Sequence, residues 1–188
     1  SSPANVMIVS PDPTHAEFVH ACLRSHKPAL CEKPLAVSAA EARSIVAAEQ
    51  ALGRRMVAVG FMRRFDPEHV AVKRAVAAGA IGTPFLFKGV HRNPAIPPGF
   101  TTPMIVMSST SHDIDSLRWL LDCEVAEVYV RGIHTHDTLP DETRDLQLYQ
   151  MVLSDGRLAT IEVSVSVEYG YEVLAEVVGE RGAMVTAT

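Results

Sequence analysis

Three short apolar runs, Val6-Met7-Ile8-Val9, Ala29-Leu30-Cys31 and Met56-Val57-Ala58-Val59, are separated in turn by single stretches of helical patterning. Runs that are apolar at every position read as strands buried on both faces, and strands joined through helices pair in parallel. Between the first two runs, Thr14 is placed to cap a helix over about 15–24. Phe18, Val19, Cys22 and Leu23 share one face of that helix, and Glu17 suits its positive end. Between the second and third, Ser38 and Glu41 form a capping box, and an alanine-rich helix runs to Leu52 before Gly53 offers a left-handed stop. Strand, helix, strand, helix, strand with short connections predicts a doubly wound parallel sheet. The 6–9 run has almost nothing in front of it, whereas a buried parallel strand needs a neighbour on each side. The first residues are therefore expected to lie in the middle of a sheet whose earlier strands are absent.

From Pro67 the pattern changes. A helix is expected over 68–78, stopped by Gly79, followed by an alternating strand over 85–91 and a shaped, proline-rich loop over 93–103. Ile114, Leu117, Leu120 and Leu121 recur at helical spacing within 108–121. Four strand-like stretches follow, 125–133, 146–153, 158–167 and 171–178, with Ser154-Asp155-Gly156 as a hairpin turn and Glu180-Arg181-Gly182 ending the last. Long strands after one helix predict a mainly antiparallel open sheet. The chain thus divides into an α/β part over 1–62 and an α+β part over 63–188. Ile161, Val163, Val165 and Val167 fall on one strand face, which would be exposed unless it packs on another subunit. A homo-oligomer, dimer or tetramer, is expected through this sheet.

Composition narrows the function classes. The 188 residues carry 17 basic and 22 acidic side chains, a net charge of −5, which gives no basic footprint for nucleic acid or anionic lipid. No apolar run approaches the roughly 18 residues of a membrane span, and Ser1-Ser2-Pro3-Ala4-Asn5 lacks the basic and apolar regions of a signal peptide. Three cysteines, Cys22, Cys31 and Cys123, without metal or redox spacing, fit free thiols in a reducing compartment. A soluble cytoplasmic protein is expected.

Cys31-Glu32-Lys33-Pro34-Leu35 directly after a strand, with Ser10-Pro11 and Thr14-His15 upstream, resembles the Gfo/Idh/MocA family of nicotinamide-dependent sugar and polyol dehydrogenases. The resemblance extends along essentially the whole chain. Gly60-Phe61-Met62-Arg63-Arg64-Phe65-Asp66, His91-Arg92-Asn93-Pro94, His112-Asp113-Ile114-Asp115 and Tyr169-Gly170-Tyr171-Glu172 are most similar to its inositol 2-dehydrogenase branch. The resemblance implies the C-terminal half of a Rossmann-type parallel sheet, then an open-sheet domain whose helix carries the active-site histidine. It implies NAD or NADP as cofactor and oxidation of a secondary hydroxyl of a cyclic polyol or sugar, such as myo-inositol, to a ketone. Lys33 and His112 take the catalytic positions. The resemblance implies substrate-binding positions for Arg63, Asn93, Asp115 and Tyr171, with Tyr169 the alternative to Tyr171, and puts Ser10, Pro11, His15, Glu32 and Lys33 along the nicotinamide.

Two features depart from the family pattern. Ser108 stands where many members carry Asp four residues before the histidine, and no G-x-G-x-x-G occurs anywhere in the chain. The sequence therefore resembles the middle of such an enzyme, and the residue that would select NAD or NADP lies outside it.

The chemistry suits these residues. Alcohol oxidation by hydride loss needs a proton acceptor, for which imidazole is matched near neutral pH, and an ammonium stabilises developing alkoxide. On an α-helix, Ser108, His112 and Asp115 share one face, whereas Asp113 is turned about 100° away. Spacing alone reads His112 as a solvated or capping residue and Lys33 as a surface lysine whose direction Pro34 restricts; the resemblance is what turns both toward function. Alternation would send one of Arg63 and Arg64 inward, and Arg63 is the one expected there. His134 and His136 lack a third ligand nearby, so a polar strand edge is expected in place of a metal site. Cys31 is expected to be a buried strand cysteine, not a thiolate activated by Lys33. The competing view is a truncated, non-catalytic family member that serves as a dimerisation or sugar-binding module.

Overall fold

Strands β1 (Val6–Ile8), β2 (Ala29–Cys31) and β3 (Val57–Val59) pair side by side in parallel, in that order. The computed structural model describes residues 5–97 and 99–186, and its contacts separate into two units, Ser1–Phe61 and Met62–Thr188. In the first unit, α1 (His15–Arg24) and α2 (Ala39–Ala51) form the two crossovers. Val19, Cys22 and Leu23 of α1 and Ile45 of α2 are buried with Ile8, Cys31 and Met56. The expected capping box forms in part: the Glu41 amide donates to Ser38 Oγ at 3.2 Å, and Gly53 adopts φ +67° past the helix end. Glu49, at the far end of α2, accepts from the amides of Met56 and Val57 at 2.7 and 2.8 Å and so fixes the entrance to β3.

Thr14 departs from the expected role. A 3-10 turn over Asp12–Thr14 leads into α1, and the Thr14 side chain does not cap the helix. Its hydroxyl donates instead to Pro11 O at 2.7 Å, because Pro11 and Pro13 tighten the entry into a turn whose own carbonyl lies within reach.

The second unit begins with a 3-10 turn over Met62–Phe65, followed by α3 (Pro67–Ala77). Asp66 caps α3, its Oδ1 accepting from the amides of Glu68 and His69 at 3.1 and 2.9 Å, with Pro67 in the first turn. Then come β4 (Pro84–Arg92), a short α4 (Thr102–Ile105), a π-helical stretch over Val106–Thr110 and α5 (Ser111–Leu121). The last strands are β5 (Val125–Ile133), β6 (Leu146–Leu153), β7 (Leu158–Ser164), β8 (Glu172–Gly179) and β9 (Gly182–Val185). They form a sheet in the order β5-β6-β7-β4-β8-β9, with β4 and β7 parallel and every other neighbouring pair antiparallel. The parallel doubly wound part and the mainly antiparallel open sheet are both present.

Three details differ from expectation. The strand expected over 158–167 stops at Ser164. β9 is not among the expected strands: Glu180-Arg181-Gly182 is expected only to end the strand before it, and too few residues follow that turn to show alternation. The third concerns which face of the sheet is exposed. Ile161, Val163 and Val165 are at most 1% exposed and pack in the core with Phe87, Leu117 and Leu120, while Val167 is half-buried. Alternation had assigned these residues to one face correctly but could not say which face the helices cover. Gly89 makes room there: a Cβ on it would lie 3.2 Å from the Phe87 ring and 3.3 Å from Ile161. The exposed apolar side chains are others, including Tyr129, Ile133, Leu148 and Leu158. Among the described residues, no helix is long and apolar enough to cross a membrane.

Candidate active site

In the first unit the carboxyl ends of the parallel strands bring together Ser10-Pro11 after β1, Glu32-Lys33 after β2 and Gly60 after β3. Such strand ends are where open α/β sheets bind their ligands. His15, 1% exposed at the start of α1, ties two of these loops together. Its Nδ1 lies 2.6 Å from Pro34 O and its Nε2 2.8 Å from Ser10 O. Ser10 Oγ and Thr14 Oγ1 are 2.6 Å apart. The Lys33–Pro34 bond is cis. The Glu32 carboxylate accepts from the Lys33 amide at 3.2 Å and lies across Gly60, where a Cβ would come 3.0 Å from Oε1. A side chain at position 60 would displace this glutamate. Burial, reinforced by the Glu32 charge, pushes the Cys31 thiol up to about 11, so it is a protonated core residue and not a nucleophile.

These residues fit one end of a dinucleotide. They offer carbonyl, hydroxyl, carboxylate and ammonium groups at the strand ends, but no glycine-rich turn for a pyrophosphate. Ser10, Pro11, His15, Glu32 and Lys33 would hold the nicotinamide half.

In the second unit the two adjacent arginines of the 62–65 turn diverge. Arg63 turns inward and is buried, while Arg64 stays partly exposed. Each meets a different aspartate of α5, for residues two apart on a helix point about 200° away from each other. Arg64 grips Asp115 through two hydrogen bonds, Nε to Oδ2 at 2.9 Å and Nη2 to Oδ1 at 2.7 Å. Arg63 Nη1 donates to Asp113 Oδ1 at 2.6 Å, and Asp113 Oδ2 lies 2.8 Å from His91 Nδ1. Asp113 is almost wholly buried. Burial pushes its carboxyl up, but the His91 hydrogen bond and the Arg63 charge outweigh that and hold it below the usual carboxylate range.

His112 is also buried on α5, its ring 6.4 Å from that of His91 between centroids. Tyr171 presents its ring edge-on to the other neighbour of this group, 6.0 Å from His91 at 85°. Tyr171 is exposed, and with Arg63, Met62, His69 and Val173 it lines a cleft of about 500 Å³. Tyr169 is further out, its hydroxyl 3.3 Å from Glu172. Asn93, just past β4, donates from Nδ2 to Ser109 Oγ at 3.3 Å.

The expected face of Ser108, His112 and Asp115 needs correction. Residues 106–110 are π-helical, so Ser108 does not precede His112 by an α-helical i−4 step. Single π turns inside helices recur at functional sites. The carboxylate oxygens of Asp115, expected to face polyol hydroxyls, are both engaged by Arg64. His91 and Asp113 were not selected by sequence reasoning. A signal existed for His91: with Phe87 and Gly89 it occupies the inward alternation of β4, where a polar residue is unusual. His134 contacts Thr143 O at 3.1 Å, and His136 lies between Thr138 and Glu168, at 2.8 and 3.2 Å. Among the described residues no group of three His, Cys, Asp or Glu could hold a metal ion.

Comparison with known proteins fits both units. A family model described as the GFO/IDH/MocA C-terminal domain matches residues 69–185, and one described as an oxidoreductase family with an NAD-binding Rossmann fold matches residues 1–61. The chain therefore belongs to the Gfo/Idh/MocA oxidoreductase family. The inositol 2-dehydrogenase of Rubrobacter xylanophilus is 57% identical over 179 residues, 95% of this chain and 52% of that protein. Its counterpart in Rhodococcus erythropolis is 42% identical over 178 residues, 95% of this chain and 51% of that protein. A crystal structure of myo-inositol dehydrogenase from Lactobacillus casei in complex with NAD(H) and myo-inositol matches with a TM-score of 0.91 at 30% identity. The match covers 98% of this chain and 55% of that one. The chain spans about half the length of the curated relatives it matches.

Proposed function

We propose that this chain belongs to an NAD(P)-dependent dehydrogenase that oxidises a secondary hydroxyl of a cyclic polyol, myo-inositol or a close relative, to a ketone. The observation that carries the reading is the likeness, over 98% of the chain, to a dehydrogenase crystallised with NAD(H) and myo-inositol. The 57% identity to an inositol 2-dehydrogenase favours this over a non-catalytic module.

When bound, the nicotinamide supplies the hydride acceptor. His112 takes the hydroxyl proton as the carbinol carbon loses hydride, so one C–H and one O–H bond break and a C=O forms. The Lys33 ammonium stabilises the developing alkoxide. Arg63, Asn93 and Tyr171 hold the remaining hydroxyls, and Asp115 contributes through the lone pairs that Arg64 leaves. Ser10, Pro11, His15 and Glu32 orient the nicotinamide. The full-length protein is expected to reduce NAD or NADP only in the presence of a cyclic polyol. Spectrophotometric assay of nicotinamide reduction with myo-inositol and with linear polyols tests this, and no reduction with any cyclic polyol would overturn it.

The substrate is a small molecule, and the net charge of −5 fits neither nucleic acid nor anionic membrane as partner. Cys22, Cys31 and Cys123 are all free thiols, which fits the cytoplasm. The exposed apolar residues of the open sheet, Tyr129, Ile133, Leu148 and Leu158, fit a homo-oligomer, a dimer or tetramer. Leu148→Glu with Leu158→Glu is expected to lower the sedimenting mass by at least half. A wild-type protein that already sediments as a monomer would end this reading.

A further inference from the structure

The buried pair of Asp113 and His91 has a consequence that follows from hydrogen-bond chemistry. Asp113 is ionised, held so by His91 and Arg63 against the effect of burial, and a carboxylate can only accept. Its Oδ1 receives Arg63 Nη1 at 2.6 Å, and its Oδ2 lies 2.8 Å from His91 Nδ1. His91 Nδ1 must therefore carry a proton. Arg63 Nη2 also comes within 3.2 Å of that nitrogen, but two N–H groups facing each other make no hydrogen bond. Arg63 is there as a charge. It balances the charge of Asp113.

We propose that Asp113 is a positioning residue that fixes His91 as the Nδ1–H tautomer and so makes His91 Nε2 a hydrogen-bond acceptor beside His112. The ring neighbours those of His112 and Tyr171, with centroids 6.4 and 6.0 Å away. An acceptor has a use here because the two cations assigned to the polyol offer none. Arg63 and Lys33 only donate, and both oxygens of Asp115 are engaged by Arg64. A hydroxyl bound to this wall needs a place for its proton, and His91 Nε2 supplies it. That use rests on the polyol reading above, whereas the tautomer does not.

Long-range ¹H–¹⁵N correlation spectra of the chain separate the two claims, with His91 assigned through its backbone and recorded at about pH 8.5, above the ordinary imidazole range. The expected result is a proton on Nδ1 and an unprotonated Nε2. In Asp113→Asn the amide oxygen stays with Arg63, which cannot accept, and the NH2 turns to His91. Nδ1 must then accept, and the proton is expected to move to Nε2. A proton on Nε2 in the wild type, alone or in a doubly protonated ring, overturns the proposal, as does an unchanged tautomer in a folded Asp113→Asn protein. If that variant does not fold, the wild-type spectrum decides. Failure of the tautomer leaves polyol oxidation untouched, and an inactive enzyme with the expected tautomer refutes only the use on a hydroxyl.

Discussion

His112→Ala in the full-length protein is expected to lower kcat for polyol oxidation by about a hundred- to ten-thousandfold, the range a positioned general base contributes. KM is expected to move by no more than roughly threefold, because the imidazole acts on the proton that leaves in the transition state more than on ground-state binding. The size of the loss depends on whether a neighbour can substitute, and the carboxylates next to it on α5 are already engaged. Asp113 is committed to Arg63 and His91, and Asp115 to Arg64. Ser108 brings no charge and belongs to the π-helical stretch. The check is steady-state nicotinamide reduction by wild type and variant, with circular dichroism to show that both are folded. A loss of less than about tenfold would remove His112 from the role of base.

The parts of this molecule that sequence made legible are those encoded locally. The three parallel strands were readable because each apolar run is bounded by its own helix start and stop, as at Ser38 and Gly53. α5 was readable from Ile114, Leu117, Leu120 and Leu121, although its first turn was not. Nothing in Val106-Met107-Ser108-Ser109-Thr110 distinguishes a π-helical from an α-helical turn. Candidate site residues could be named from sequence where a motif lay within one segment, as with Glu32-Lys33-Pro34 and His112. Arg63, His91 and Asp113 come from a turn, a strand and a helix that only the fold brings together. Their pairing is long-range and carries no local periodicity. The burial of Ile161 and Val163 shows the same limit, since alternation fixes which residues share a face but not what covers it.

Asp113→Ala is expected to destabilise the second unit strongly. Removing one partner of a buried ion pair leaves the other charge desolvated and uncompensated, which typically costs about 3–5 kcal/mol. Here the abandoned group is the Arg63 guanidinium, only 5% exposed, and the His91 Nδ1–H loses its acceptor as well. Thermal unfolding should fall by roughly 10–20 °C for a domain of this size. The double variant Arg63→Met with Asp113→Leu removes both charges and fills the space with apolar atoms. It is expected to recover more than half of that loss, because an ion pair contributes little net stability once its desolvation is counted. The pH dependence has a definite sign. The Asp113 carboxyl is held below its ordinary value in the folded state, so its contribution is complete above the unfolded value of about 4 and is lost as pH falls through the folded one. Wild type should therefore lose stability on acidification below about pH 4, and the double variant should lose less over the same window. Thermal melts of the three proteins from neutral to acid pH decide the matter. A double variant no more stable than Asp113→Ala would mean that the charge left on Arg63 is not what the single change costs.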